Sequence, residues 1–172
     1  MAEDLVDDLV TIGSKAQSTE QVLQADPVVN EATTVTSLVD DAVNTVESNH
    51  EDKEFQIDVS VPDEPAVRIN PSVMDSIIQE VIENSIRHVT TPTVTVRYDE
   101  SSGTLVISDD GPGIPDHEIS VLQNAEETDL EHGSGLGLWL IKWGTDTFGG
   151  SITFDMEDGT EVRIQFPEAL VE

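Results

Sequence analysis

The sequence predicts an α/β fold of the α+β type: a two-layer sandwich with a mixed sheet covered on one face by three helices and preceded by an N-terminal helix. Apolar residues recur at helical spacing in several stretches and alternate with polar residues in several shorter runs. From about residue 35 the order is helix, strand, strand, helix, strand, strand, loop, helix, strand, strand. Helices are too few for regular βαβ winding, and each amphipathic helix needs an apolar sheet face to bury against. At 172 residues the chain holds one ordinary domain with a real core and room for an appendage.

Leu5, Leu9, Ile12, Ala16, Thr19 and Leu23 follow one another in steps of three and four, a heptad-like stripe on a helix over about residues 4–25. Asp26-Pro27 ends it, because the residue before proline is pushed out of the helical region. This helix reads either as a cover on its own domain or as the end of a dimerising hairpin or coiled coil occupying residues 1–25. Residues 26–34 read as a linker, and residues 35–168 as the main domain. A helix over about 36–48 presents Leu38, Val39, Ala42, Val43 and Val46 on one side. Phe55, Ile57, Val59 and Val61 alternate with Gln56, Asp58 and Ser60, the pattern of a half-buried strand, and a short strand through Val67 and Ile69 follows. Asn70-Pro71 joins a capping side chain to a proline at the first helical position, starting a helix that runs to about Val89. Its inward stripe is Ile78, Val81, Ile82, Ser85, Ile86 and Val89, with Glu80, Asn84, Arg87 and His88 on the other side. Strands near 93–99 and 104–109 flank a Ser-Ser-Gly turn, and the polar stretch beyond, to about His132, reads as a loop or lid. Leu136, Leu138, Leu140, Ile141 and Trp143 belong to a third helix of this domain, stopped by Gly149-Gly150. Asp158-Gly159 then turns a closing hairpin.

The charge limits the partners. Seven Lys and Arg stand against 36 Asp and Glu, a formal net charge of −29, so no basic patch is available for a nucleic-acid backbone. Periodic apolar residues, 37% of the chain, argue against disorder. Self-repulsion among so many carboxylates is relieved only where screening is short-ranged, roughly 3 Å at 1 M salt, which points to a high-salt cytoplasm and a halophile. Cysteine is absent, which excludes disulfides and thiolate metal sites. With no apolar run long enough to span a bilayer and no signal segment, the chain is expected to be cytoplasmic, with a parent protein that can still be membrane-associated.

The chemistry concentrates in one helix and two glycine clusters. Glu80 and Asn84, four apart, stack on one helical face. Asn84 can give a neutral oxygen to Mg2+, and Glu80 can act as a base or hold a metal-bound water. Arg87 and His88 continue that face and can meet phosphate or ribose. Asp109 ends a strand, so its carboxylate belongs at the rim of the sheet, where an acceptor can read the exocyclic amine of adenine. Gly111 and Gly113 let a base and its waters approach the backbone. Gly133, Ser134, Gly135, Leu136 and Gly137 open directly into the third helix, whose free N–H groups favour phosphates. Neither a P-loop nor a Rossmann pattern is present. Separately, each feature has a plainer alternative: a polar helix face turned to water, or an ordinary turn.

Together, Glu80-x-x-x-Asn84-x-x-Arg87-His88, Asp109-x-Gly111-x-Gly113 and Gly133-x-Gly135-Leu136-Gly137-Leu138 resemble the N, G1 and G2 boxes of the GHKL ATPase superfamily. Within it the chain is most similar to the catalytic ATP-binding domain of two-component sensor histidine kinases, over about residues 35–168, and its acidic surface and residues 9–15 resemble haloarchaeal members. The resemblance implies a Bergerat-type sandwich binding ATP and Mg2+. Asn84 would ligate the metal, Glu80 would assist as base or hold the metal water, Arg87 would contact phosphate, and His88 would lie against ribose or base. Asp109 would accept the adenine amine, Gly111 and Gly113 would shape the base pocket, and Gly133 to Gly137 would bring backbone onto the phosphates. It also implies a dimerisation and phosphoacceptor domain and a response regulator as partners, and a possible homodimer through residues 4–25. None of His50, His88, His117 and His132 has a phosphoacceptor context, so the accepting histidine is expected outside this chain. The segment between Gly113 and Gly133 lacks the phenylalanines of an F box. A free-standing, anti-sigma-like kinase or ATPase and a non-catalytic relay module are the alternative readings.

Overall fold

A computed structural model of the chain describes residues 2–87, 89–114, 116, 119 and 135–172. Helix α1 (Ala2–Gln24) is followed by β1 (Val28–Thr34), α2 (Val35–Asn49), β2 (Gln56–Ser60), β3 (Ala66–Ile69) and α3 (Pro71–Arg87). Then come β4 (Thr93–Asp99), β5 (Thr104–Asp109), α4 (Gly135–Thr147), β6 (Ser151–Asp155), β7 (Thr160–Gln165) and a 3-10 turn (Glu168–Leu170). The main sheet has five strands in the order β2-β4-β5-β7-β6. Its β2–β4 pair is parallel and the others are antiparallel. The mixed sheet with helices on one side is the predicted sandwich.

Local chemistry starts and stops these elements, at Asn70 and at Gly149-Gly150 as the sequence leads one to expect. Thr34 caps α2, its hydroxyl accepting the Ser37 N–H at 3.2 Å. Asn70 caps α3 by accepting the Ser72 N–H at 3.0 Å, and its amide donates to the Asp26 carbonyl at 2.9 Å. The same side chain thus starts α3 and ties the end of α1 to it. Helix α4 ends where Gly149 takes φ +78, with the Gly150 N–H returning to the Thr145 carbonyl at 3.1 Å. Val94 and Val96 of β4, Leu105 and Ile107 of β5 and Ile164 of β7 are buried in one cluster with Ile77, Ile78 and Ile82 of α3 and Ile141 of α4. The alternation along β4 produces this in one step, since every second side chain turns to the helices. At the edge of this core, burial and the nearby carboxylates of Glu100 and Asp99 push the Tyr98 phenol up from its usual 10.0.

One departure concerns the N-terminal third. Within the stretch 26–34, read above as a linker, residues 28–34 are a strand, antiparallel to β3 with Thr33 opposite Val67. Strand β3 is therefore not part of the main sheet but half of a two-stranded one. The signal was weak because Val-Val-Asn-Glu-Ala-Thr-Thr has no clean alternation and its register is interrupted, so the partner strand and not the local pattern makes it a strand. Helix α1 takes an orientation that the sequence left open. It packs on α3 and α4 through Val22, 2% exposed, and Lys15, 6% exposed. The predicted stripe faces away from the domain, with Leu5, Leu9, Ile12 and Leu23 all exposed.

Candidate nucleotide-binding site

The site is built around Asp109, the last residue of β5. Both of its carboxylate oxygens are held: the Ser85 hydroxyl donates to Oδ2 at 2.5 Å and the Gly111 N–H to Oδ1 at 2.8 Å. The turn that brings the Gly111 N–H back has no room for a side chain. A Cβ on Gly111 would come within 2.7 Å of Val89 Cγ2 and 3.0 Å of Asp109 Oδ1. On the adjacent strand connection Gly159 takes φ +91, and a Cβ there would lie 2.1 Å from the Asp109 carbonyl oxygen. The backbone of Asp109 is thereby clasped from one side and its side chain from the other.

Over this carboxylate lies a cavity. Val81, Asn84, Ser85 and Val89 line it from α3 and the residues after it, Ile107 and Asp109 from β5, and Pro112 to Ile114 from the first glycine cluster. Leu138 and Ile141 of α4, with Thr160 and Val162 of β7, close the rest. Apolar walls with a few placed polar groups are what a flat heteroaromatic base requires: dispersion over its faces and hydrogen bonds at its edge. The acceptor at the edge is Asp109.

The predicted site residues divide. Asn84, Asp109 and Gly113 meet at the cavity, with Gly111 shaping Asp109. Glu80 does not line this cavity. It is 5% exposed, and its Oε1 lies 2.8 Å from Lys15 Nζ of α1, without hydrogen-bond geometry at that oxygen: an ion pair by distance. A Cβ on Gly137 would fall 2.1 Å from the same oxygen, so the glycine lets the carboxylate rest on the first turn of α4. A negative group there is favoured by the positive end of the helix. Arg87 ends α3 with an exposed side chain and is not among the residues lining the cavity. Gly135 and Leu136 lie in the first turn of α4. His88, Gly133, Ser134 and most of the expected lid fall outside the described residues, as does the side chain of Leu136.

Three contributors escaped the sequence reading. Ser85 was placed on the inward stripe of α3, and a hydroxyl in an apolar stripe was the available signal. Thr160, 8% exposed, stands beside Asp109 across the β5–β7 ladder, and nothing distinguished it from an ordinary strand threonine. Lys15 is one of only seven basic residues in a chain of charge −29 and is nonetheless buried, a placement that spacing could not reveal.

Residues 69–170 match the family described as histidine kinase-, DNA gyrase B-, and HSP90-like ATPase. That is more than half of the chain. It belongs to this ATPase family. Among solved structures the domain is similar to the mycobacterial sensor histidine kinase MprB, with 29% identity over 81% of this chain and 97% of that one, at a TM-score of 0.62. The histidine kinase AdeS of Acinetobacter baumannii shares the fold at 17% identity, covering 96% of this chain and 82% of its own, with a TM-score of 0.66. So does the catalytic domain of the histidine kinase ThkA, at 17% identity, 80% and 96% coverage and a TM-score of 0.64. No curated protein sequence matches. The chain is a catalytic ATPase domain of the sensor-histidine-kinase type. The family match begins in β3 and ends in the last 3-10 turn, so α1, with the Lys15 that reaches Glu80, lies outside it.

Proposed function

We propose that this domain binds ATP with Mg2+ and transfers the γ-phosphoryl to a histidine of a dimerisation domain outside this chain. The observation that carries the reading is the Asp109 carboxylate, held at both oxygens beneath an apolar cavity that Asn84 also lines. Asp109 accepts the adenine amine, Gly111 and Gly113 keep the loop close to the base, and Gly133 to Gly137 are assigned to the phosphates. Asn84 would hold Mg2+ through its side-chain oxygen, a half-buried hard ligand that fits a cation bound mainly by water and phosphate. When bound, the metal neutralises charge on the phosphates. Glu80 is assigned the assisting base, a role that requires its ion pair with Lys15 to open, Arg87 a phosphate contact and His88 a ribose or base contact.

In the transfer, the bond between the γ-phosphorus and the β–γ bridging oxygen breaks as the bond to a histidine nitrogen forms, leaving ADP. An aspartate of a response regulator then takes the phosphoryl group. Catalysis of this kind is mostly positioning and charge neutralisation. We assign residues 1–25 to the end of a dimerisation helix, supported by the exposed Leu5, Leu9 and Ile12, which suit a second helix in a homodimer or hairpin. Residues 35–168 are assigned to the catalytic unit, with β1 joined to it through its pairing with β3. The charge of −29 supports a high-salt cytoplasm as its setting, with a parent protein that can be membrane-associated.

The deciding experiment is calorimetric binding of ATP with and without Mg2+ in molar KCl, for the native chain, Asn84→Ala and Asp109→Ala. A hydrogen bond to a charged group is worth about 1.5–3 kcal/mol, so Asp109→Ala is expected to weaken ATP binding by roughly ten- to a hundredfold. Asn84→Ala should remove most of the Mg2+ dependence. Equal affinity in all three proteins would rule the site out.

A further inference from the structure

Asp109 is not the only residue that decides which base is read. An ionised carboxylate is acceptor-only, so the hydrogen between Ser85 Oγ and Asp109 Oδ2, 2.5 Å apart, belongs to the serine. The other acceptor within reach of that hydroxyl, the Val81 carbonyl one helical turn back, is 3.4 Å away and competes poorly with a charged oxygen. Ser85 is 7% exposed, so water is a poor substitute for the bond. Gly111 N–H holds Oδ1 from the loop and Ser85 holds Oδ2 from α3. Two donors on two different oxygens fix the plane of the carboxylate, whereas either alone leaves it free to turn. Both Ser85 and Asp109 line the cavity, so the remaining lone pairs of the fixed carboxylate are what a base meets at its edge.

We propose that Ser85 is a specificity-determining positioning residue: by clamping Asp109 it converts a carboxylate at the sheet rim into a directional acceptor for an exocyclic amine. This rests on the nucleotide reading above and adds to it the origin of base selectivity. With Ser85 in place, a purine carrying the amine gains a well-aligned charged hydrogen bond. A purine lacking the amine gains nothing from the alignment and leaves the free lone pairs of the half-buried carboxylate without that donor. Without the hydroxyl, Asp109 is held by Gly111 alone and the alignment is lost.

The test compares ATP with purine riboside 5′-triphosphate, which differs only in lacking the amine, by calorimetry in molar KCl. The proteins are the native chain, Ser85→Ala, Asp109→Ala and the double variant. Ser85→Ala is expected to weaken ATP by roughly five- to tenfold and the amine-free analogue by less than about twofold, from the usual worth of a charged hydrogen bond. In the Asp109→Ala background the same serine change should cost neither ligand anything further, because the group it orients is gone. Parallel losses for both nucleotides would mean that Ser85 only supports the fold and would overturn the proposal, as would unchanged ATP binding in Ser85→Ala. Native chain that binds neither nucleotide would instead overturn the site reading itself, and this proposal with it. A thermal melt of each variant separates loss of fold from loss of selectivity, since an unfolded variant loses both ligands together.

Discussion

At the scale of single residues, two turn glycines at opposite ends of β5 are unequal. Gly103 and Gly159 both adopt positive φ, +62 and +91, but their surroundings differ. A Cβ on Gly103 meets nothing closer than 3.8 Å, whereas one on Gly159 would meet the Asp109 carbonyl oxygen at 2.1 Å. Gly103→Ala should therefore cost only the conformational term, about 1–2 kcal/mol. Gly159→Ala adds backbone displacement, for about 1–3 kcal/mol more, and shifts the residue that carries the acceptor. Urea unfolding of the two variants checks the order, and ATP affinity should fall only in Gly159→Ala. Equal stabilities would mean that the β6–β7 turn yields without moving β5. The role of Gly159 as a turn residue was legible from Asp-Gly between two apolar runs. Its role as a spacer for Asp109 was not, because the strand it approaches lies some fifty residues earlier in the chain.

At the scale of elements, α1 is attached to the ATPase domain by a charge as well as by Val22. Lys15 and Glu80 are both nearly buried, and removing one partner of such a pair strands the other, typically at about 3–5 kcal/mol. Lys15→Met should accordingly destabilise the chain by about that much, measured by denaturant midpoint in molar KCl. Lys15→Met combined with Glu80→Gln should recover most of the loss, since no uncompensated charge then remains. A loss under about 1 kcal/mol for the single variant would show that α1 lifts away at little cost. Helix α1 was legible as a helix from its stripe and from Asp26-Pro27, but the face it turns inward was not. Leu5, Leu9 and Ile12 form the more apolar side, yet Lys15 and Val22 make the contact. An ion-pair partner 65 residues away, together with the end of α1 fixed by Asn70, outweighs local pattern. Strand β1 shows the same limit, since it exists through β3 and not through its own alternation.

At the scale of the whole molecule, 36 acidic side chains against seven basic ones leave most carboxylates without a cationic neighbour. The mean repulsion is long-ranged in dilute buffer and falls as the Debye length shrinks from about 10 Å at 0.1 M to about 3 Å at 1 M salt. We expect the melting temperature to rise steeply between 0.1 and 2 M KCl, by roughly 2–4 °C for each kcal/mol of relieved repulsion in a domain of this size. ATP affinity should rise with it, because the ligand is itself an anion approaching an acidic surface. A melting temperature flat across that range would count against a high-salt setting. The Lys15–Glu80 pair should keep its contribution throughout, as buried pairs are screened little.

By itself the sequence determined the element order apart from β1 and the two-layer sandwich, and it singled out the candidate site residues. Helical and strand periods, capping residues and glycine turns are local consequences of backbone sterics and side-chain shape. Asn84, Asp109 and Gly113 were identifiable as candidates from their residue types and their spacing around the glycine cluster. Tertiary structure alone decided which of these groups meet. It brought Asn84 to the Asp109 cavity, left Glu80 with Lys15 and Gly137, and clamped Asp109 between Ser85 and Gly111. It also turned the apolar stripe of α1 outward. Those pairings join residues far apart in the chain, and their free energy comes from burial and from satisfying charge in the core, which no local pattern records.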